Sequence, residues 1–195
     1  VVFVVPRVGQ REGLEADRGT GCSGLRGRYC GYVDLIDAEE ACLGQMARVF
    51  ERYGGSVLGV QTVKPEETDK YGIVAADAVD ERVSRVTRIV EKPKPKDAPS
   101  SLAVVGRYVL TPAIYTKLET IGRGAGGEIQ LTDGIAALIA DEPIFAYAFE
   151  GKRYDCGSKL GYLEATVEFA LKHPQLGRKF ADYLARRVAA GLENS

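Results

Sequence analysis

Residues 86–110 read V-T-R-I-V-E-K-P-K-P-K-D-A-P-S-S-L-A-V-V-G-R-Y-V-L, and this stretch decides the fold class. Its β-branched start, Val86 to Val90, favours a pleated and buried strand. Glu91, Lys92 and Pro93 stop that strand, because proline cannot donate to a ladder and biases Lys92 toward an extended conformation. A proline-punctuated loop leads to a second apolar strand, Leu102 to Leu110. A carboxylate and an ammonium are thereby set side by side at a strand tip, where α/β proteins keep ligand contacts.

The two charges suit different parts of one ligand. The Glu91 carboxylate accepts only, and its two oxygens can take two neighbouring hydroxyls. The Lys92 ammonium is a compact point charge suited to a phosphate oxygen. The same three residues also read as a solvated strand end, with Lys94 and Lys96 as ordinary loop charges.

Working outward, Asp37-Ala-Glu-Glu40 has the pattern of a capping box, opening a helix to about Tyr53 that ends at Gly54-Gly55. Ser56 to Val63 reads as a buried strand. Asp69-Lys-Tyr-Gly72 leads into another, Ile73 to Ala76, and Gly72 admits a ligand where a Cβ would clash. Thr111-Pro112 reads as an N-cap with proline at the first helical position of 113–120. Gly122 to Gly127 is a glycine-rich connector, and Glu128 opens a helix carrying Ile129, Leu131, Ile135, Leu138 and Ile139. Glu128, Thr132 and Asp133 are expected to cap and solubilise that helix.

Ile144 to Phe149 alternates as a strand, and Arg153-Tyr-Asp-Cys-Gly157 follows it. Ser158 is expected to cap a helix over 159–172 that buries Leu160, Leu163, Val167 and Leu171. Asp155 sits at the strand-to-helix passage, close to a helix N-terminus that favours anions. His173 before Pro174 reads as a helix end. A last helix, about 175–190, carries the apolar stripe Leu176, Phe180, Tyr183, Leu184 and Val188.

Composition narrows the function classes. The 26 basic and 27 acidic residues of this 195-residue chain nearly cancel, so no general nucleic-acid or anionic-membrane field is implied. No apolar run approaches a membrane span. The four cysteines show no C-x-x-C spacing and His173 stands alone, which leaves no His/Cys metal set and fits reduced thiols in a cytoplasmic protein.

Five motifs occur in order: D-K-Y-G-I-V (69–74), V-E-K-P (90–93), V-G-R-Y-V-L (105–110), G-E-I-Q-L-T-D (127–133) and D-C-G-S-K-L-G-Y (155–162). Together they closely resemble the carboxyl-terminal two-thirds of the bacterial UTP–glucose-1-phosphate uridylyltransferase family, within the sugar-phosphate nucleotidyltransferases, from about Asp34 to Arg187. The resemblance implies an α/β fold with a mixed, mostly parallel sheet flanked by helices, Rossmann-like and incomplete at its N-terminus. It implies that UTP and glucose 1-phosphate react with Mg²⁺ assisting. Glu91 would hold the glucose hydroxyls and Lys92, as the catalytic residue, the phosphate. Tyr71, Gly72, Val104 and Gly106 would line the sugar. Asp155 would face the metal, and Asp34 is the nearest aspartate to the family's other metal position. Residues 1–173 would form a partial nucleotidyltransferase domain, and 174–195 a helix for packing or homo-oligomerisation. A related transferase using dTTP, ATP or CTP, and a non-catalytic sugar-phosphate-binding or oligomerisation module, are the alternatives.

Two departures from the family pattern shape the expectation. The chain opens at Val1 on an apolar strand, without the family's G-x-G-T-R loop whose amides would cradle the triphosphate. It therefore reads as a fragment, expected to be inactive alone. Residues 9–33 hold seven glycines in 25 residues and no hydrophobic period, where the family has a turn, a helix and a buried strand. They read as a segment translated out of frame, the frame returning near Asp34.

Overall fold

The computed structural model describes residues 2–4, 34–122 and 129–191. The anomalous 9–33 segment, the connector over 123–127 and Glu128 lie outside the described residues. The elements in chain order are β1 Val2–Val4, β2 Leu35–Asp37, α1 Cys42–Tyr53, β3 Ser56–Thr62, β4 Gly72–Ala78, β5 Val83–Glu91, β6 Leu102–Leu110, α2 Ala113–Thr120, α3 Leu131–Leu138, β7 Ile144–Ala148, β8 Lys152–Tyr154, α4 Lys159–Leu171 and α5 Gly177–Ala189. They fall into two compact units, one holding β1 and Ala38–Gly151, the other residues 34–37 and 152–191. The division between these units comes after Gly151.

In the first unit β6 is the hub. It pairs antiparallel with β3 along its length. Its other edge takes β4 at Leu102–Val104 and then β1 at Tyr108–Leu110. The change of partner falls at Gly106, whose φ of 68° lies in the left-handed region. There Leu58 and Val60 of β3 face Tyr108 and Val104, so two steps on one strand match four on the other. The V-G-R-Y motif is therefore a β-bulge, which bends a strand and re-aims its side chains. Through β7, β5 and β4 the pairing returns to β6, closing a hydrogen-bonded circuit.

The α/β class and the mixed sheet agree with expectation. The parallel bias does not: among the described pairings only β3 with β7 is parallel. Parallel neighbours need a long crossover, usually a helix. Here β4 and β5 form a hairpin, and β5 reaches β6 through a short loop containing a 3₁₀ turn, Pro95–Asp97. Both connections favour antiparallel neighbours.

The helices α2 and α3 cover one face of this sheet. Ile114, Ile135 and Leu138 meet Leu58, Val74, Val104 and Ile144 in one buried cluster. At about 25 cal/mol per Å² of apolar surface, each such side chain contributes roughly 1.5–3 kcal/mol. At the β3 start, Ser56 and Thr111 both donate hydroxyls to Glu142, at 2.7 Å and 2.8–2.9 Å, and the Thr111 amide donates to Ser56 Oγ. Thr111 therefore does not cap α2; Pro112 occupies that position.

The capping box at Asp37–Glu40 is also not formed. Asp37 ends β2, and Ala41 precedes α1 without a side-chain cap. The Asp37 carboxylate pairs with Lys172 and the Glu40 carboxylate with Arg48. Ion partners took carboxylates that local pattern assigned to backbone amides. The helix stop is as expected: Gly54 adopts φ 71° and its N–H bonds the Phe50 carbonyl.

In the second unit β2 pairs antiparallel with β8, α4 packs against β8, and α5 packs against α4. Ser158 caps α4, accepting from the Gly161 N–H at 2.9 Å. His173 Nδ1 accepts the Gln175 and Leu176 amides, a helix-end role as expected. The expected buried stripe of α4 is a correction. Gly161 and Ala165 face inward, while Leu160, Leu163 and Leu171 are exposed. A Cβ at Gly161 would lie 2.1 Å from the Asp155 carbonyl oxygen. The closest approach is made on the side with no side chain, and that turns the leucines out.

Candidate functional site

The tip of β5 supplies the charges. Gly72 of β4 pairs with Glu91 on one side and with Val104 of β6 on the other, so these three residues form one row across three strands. Paired residues project to the same face of a sheet. Gly72 puts no side chain between the Glu91 carboxylate and the buried Val104. A Cβ there would come within 3.2 Å of Glu91 Oε2 and 3.6 Å of Thr132 Oγ1.

Lys92 departs from the expected extended conformation. Its φ is 44°, the one positive value among the described non-glycine residues. Its amide stays on the ladder, donating to the Tyr71 carbonyl at 2.9 Å, so the strand's last bond is kept while the chain turns away. Such a backbone costs about 1–3 kcal/mol and survives only where the surroundings impose it. Buried Pro93, next in sequence, anchors the turn.

The electrostatics of the tip leave room for a ligand. Lys92 Nζ stands 4.0 Å from Glu91 Oε1, with the lysine side chain 62% exposed and the glutamate 29%. An ion pair that open contributes at most about 1 kcal/mol. A phosphate, able to take more than one of the ammonium's three donors, could displace it. Behind the carboxylate lies Tyr108, whose phenol is pushed well above its usual range, first by burial and then by the negative charge of Glu91. It stays a neutral hydroxyl.

The expected sugar-lining set is largely gathered here. Glu91, Lys92, Tyr71, Gly72 and Val104 share the β4–β5–β6 strand ends, while Gly106 belongs to the bulge of β6. Thr132 was missed as a site residue. The expected cap is instead buried, and its hydroxyl donates to Glu91 Oε2 at 2.6 Å. The only hint in the sequence was the position of the 127–133 motif among the five.

The carboxylates expected at a metal belong to the second unit. Asp155 Oδ1 accepts the Gly157 N–H at 3.0 Å. Asp34 Oδ2 accepts Arg153 Nε at 2.8 Å, with both side chains at or below a tenth exposed. A carboxylate balanced by a buried guanidinium is poorly disposed to take a dication as well. Among the described residues no group of three or more His, Cys, Asp or Glu side chains could hold a metal ion. The described residues of this chain therefore do not by themselves make a magnesium cage.

Comparison with known proteins bears on this geometry. The profile of the Nucleotidyl transferase family matches residues 36–171. The chain is 47% identical over 143 residues to the UTP–glucose-1-phosphate uridylyltransferase of Staphylococcus haemolyticus, covering 73% of this chain and 50% of that protein. It is 46% identical over 127 residues to the protein of the same name from Pseudomonas aeruginosa, covering 65% and 46%. Among solved structures it is similar to UDP-glucose pyrophosphorylase complexed with UDP-glucose, with TM-score 0.68 and 40% identity over 72% of this chain and 54% of that one. The chain spans about half the length of the curated relatives it matches.

Proposed function

Because this chain belongs to the nucleotidyl transferase family, we propose that it carries the sugar-phosphate side of a UTP–glucose-1-phosphate uridylyltransferase site. The row Glu91–Gly72–Val104 with Lys92 turned beside it is the observation that supports this reading. In it, the Glu91 carboxylate accepts hexose hydroxyls, Gly72 gives the ring room, and Val104 forms an apolar wall. Tyr71 and the Gly106 bulge complete the lining. The Lys92 ammonium holds the sugar phosphate.

In the proposed reaction a phosphate oxygen of glucose 1-phosphate attacks the α-phosphorus of UTP. The bond from that phosphorus to the bridging oxygen breaks, and pyrophosphate leaves with UDP-glucose formed. In-line placement and neutralisation of oxygen charge do most of the catalysis in such a transfer. Lys92 offsets charge on the attacking phosphate. Magnesium, when bound, would neutralise phosphate oxygens, and such ions commonly use one or two carboxylates plus the substrate's own phosphates. Asp155 is the carboxylate we assign to it; Asp34 is held by Arg153. Homo-oligomerisation through 174–195 and a cytoplasmic location belong to the same proposal. Among the described residues no helix is long and apolar enough to cross a membrane.

Calorimetry with glucose 1-phosphate tests the assignment. Binding by the chain, abolished in Glu91→Ala and weakened at least tenfold in Lys92→Ala, is the expected result. Unchanged affinity in both variants would move the sugar phosphate elsewhere. A pyrophosphate-release assay with UTP, glucose 1-phosphate and Mg²⁺ then tests whether the proposed reaction takes place.

A further inference from the structure

Thr132 is the second residue of α3. A threonine in a first helical turn commonly closes its hydroxyl on nearby backbone. Here the hydroxyl leaves the helix and donates to Glu91 Oε2 at 2.6 Å, across 41 residues of sequence. Thr132 is only 8% exposed. An O–H···O⁻ bond of this length is charge-assisted and among the stronger side-chain contacts.

The bond acts on the least restrained torsion of Glu91. The terminal sp³–sp² torsion of a glutamate is broad and roughly two-fold, so an unheld carboxylate rotates freely. Fixing Oε2 also fixes the direction of Oε1, the oxygen 4.0 Å from Lys92 Nζ. The missing Cβ of Gly72 helps this happen, since it would crowd Oε2 at 3.2 Å. We propose that Thr132 is a positioning residue of the sugar-phosphate site: its hydroxyl orients the Glu91 carboxylate so that Oε1 meets the hexose hydroxyls. Ordering that the ligand would otherwise have to impose is already done in the free protein. The placement of α3 thereby becomes part of sugar recognition. The inference rests on the reading of Glu91 and Lys92 given above.

The test uses the 195-residue chain with Thr132→Val, Thr132→Ala, Thr132→Ser and Glu91→Ala. Affinity for glucose 1-phosphate is read by calorimetry, affinity for inorganic phosphate by ³¹P line broadening, and folding by urea midpoint. Loss of one hydrogen bond to a charged acceptor corresponds to about a tenfold weakening. Thr132→Val should therefore weaken glucose 1-phosphate about tenfold and change inorganic phosphate less than twofold. Thr132→Ser should restore wild-type affinity, and Thr132→Ala gives the same comparison should valine overpack. Wild-type affinity in Thr132→Val and Thr132→Ala, or equal losses for both ligands that serine does not rescue, would overturn the positioning role. If those variants bind normally while Glu91→Ala does not, the site reading stands and this inference alone falls. If Glu91→Ala binds normally, both fall.

Discussion

Lys92 Nζ stands 4.0 Å from Glu91 Oε1 although the two are neighbours on one strand end. Successive side chains of a regular strand point to opposite faces. The left-handed φ of 44° at Lys92 breaks that alternation and swings the ammonium toward the carboxylate's side. The acid–base couple is therefore made by backbone conformation, not by adjacency in sequence.

This backbone has a measurable cost. Lys92→Gly and Lys92→Ala both remove the ammonium, but only glycine adopts positive φ without a Cβ penalty. The glycine variant should be about 1 kcal/mol more stable than the alanine variant, read as a higher urea midpoint at unchanged slope. Equal midpoints would show that Lys92 is not strained.

Gly72→Ala probes the gap in the row. The added Cβ meets Glu91 Oε2 at 3.2 Å and Thr132 Oγ1 at 3.6 Å, so the carboxylate must shift by a few tenths of an ångström. Stability should fall by less than about 1 kcal/mol, the ordinary range for a mild overpacking. Affinity for glucose 1-phosphate should fall much further, at least tenfold by calorimetry.

Glu142 clasps the opposite end of β3. Glu142→Ala leaves the fully buried Ser56 hydroxyl and the Thr111 hydroxyl without their shared acceptor. The expected destabilisation is about 2–3 kcal/mol by chemical denaturation. Affinity for glucose 1-phosphate should change little, because the variant lies away from the β4–β5 tip.

Alkaline stability should carry the mark of Cys42. Burial pushes its thiol up to about 11, with the charge of Arg107 pulling slightly the other way. A pKa raised in the folded state stabilises the fold fully below the unfolded value, and that contribution drains away as pH rises toward the folded one. Denaturation midpoints should thus decline between about pH 9 and 11. Cys42→Ala should flatten that decline, whatever it does to stability at neutral pH. An unaltered slope in the variant would assign the decline to other groups, Tyr108 first among them.

Local pattern carried far in this chain. The E-K-P stop, the span Leu102–Leu110, the glycine stop of α1 and the Ser158 cap of α4 all depend on residues within one or two turns of each other. Each is decided by which backbone angles and hydrogen bonds the residue itself permits, so each can be read directly. The charge chemistry of Glu91 and Lys92 was legible for the same reason.

The rest required the folded chain. Asp37, Glu40 and Thr111 look like caps, yet long-range partners take their side chains. The α4 leucines follow a helical period, yet the side that faces in is chosen by how closely backbone can approach at Gly161. The antiparallel order of β4, β5 and β6 follows from short connections whose consequence appears only in pairing.

What the amino-acid order determined by itself is the α/β class, the placement of most elements, and the presence of a carboxylate and an ammonium at one strand end. What only the tertiary structure decided is which face that couple uses and what holds it there: the left-handed turn at Lys92, the open row at Gly72, and the hydroxyl of Thr132 on Glu91. The physical reason is range. Propensity and periodicity act over a few residues, whereas the bond that aims this carboxylate joins groups 41 residues apart and exists only once α3 packs over the sheet.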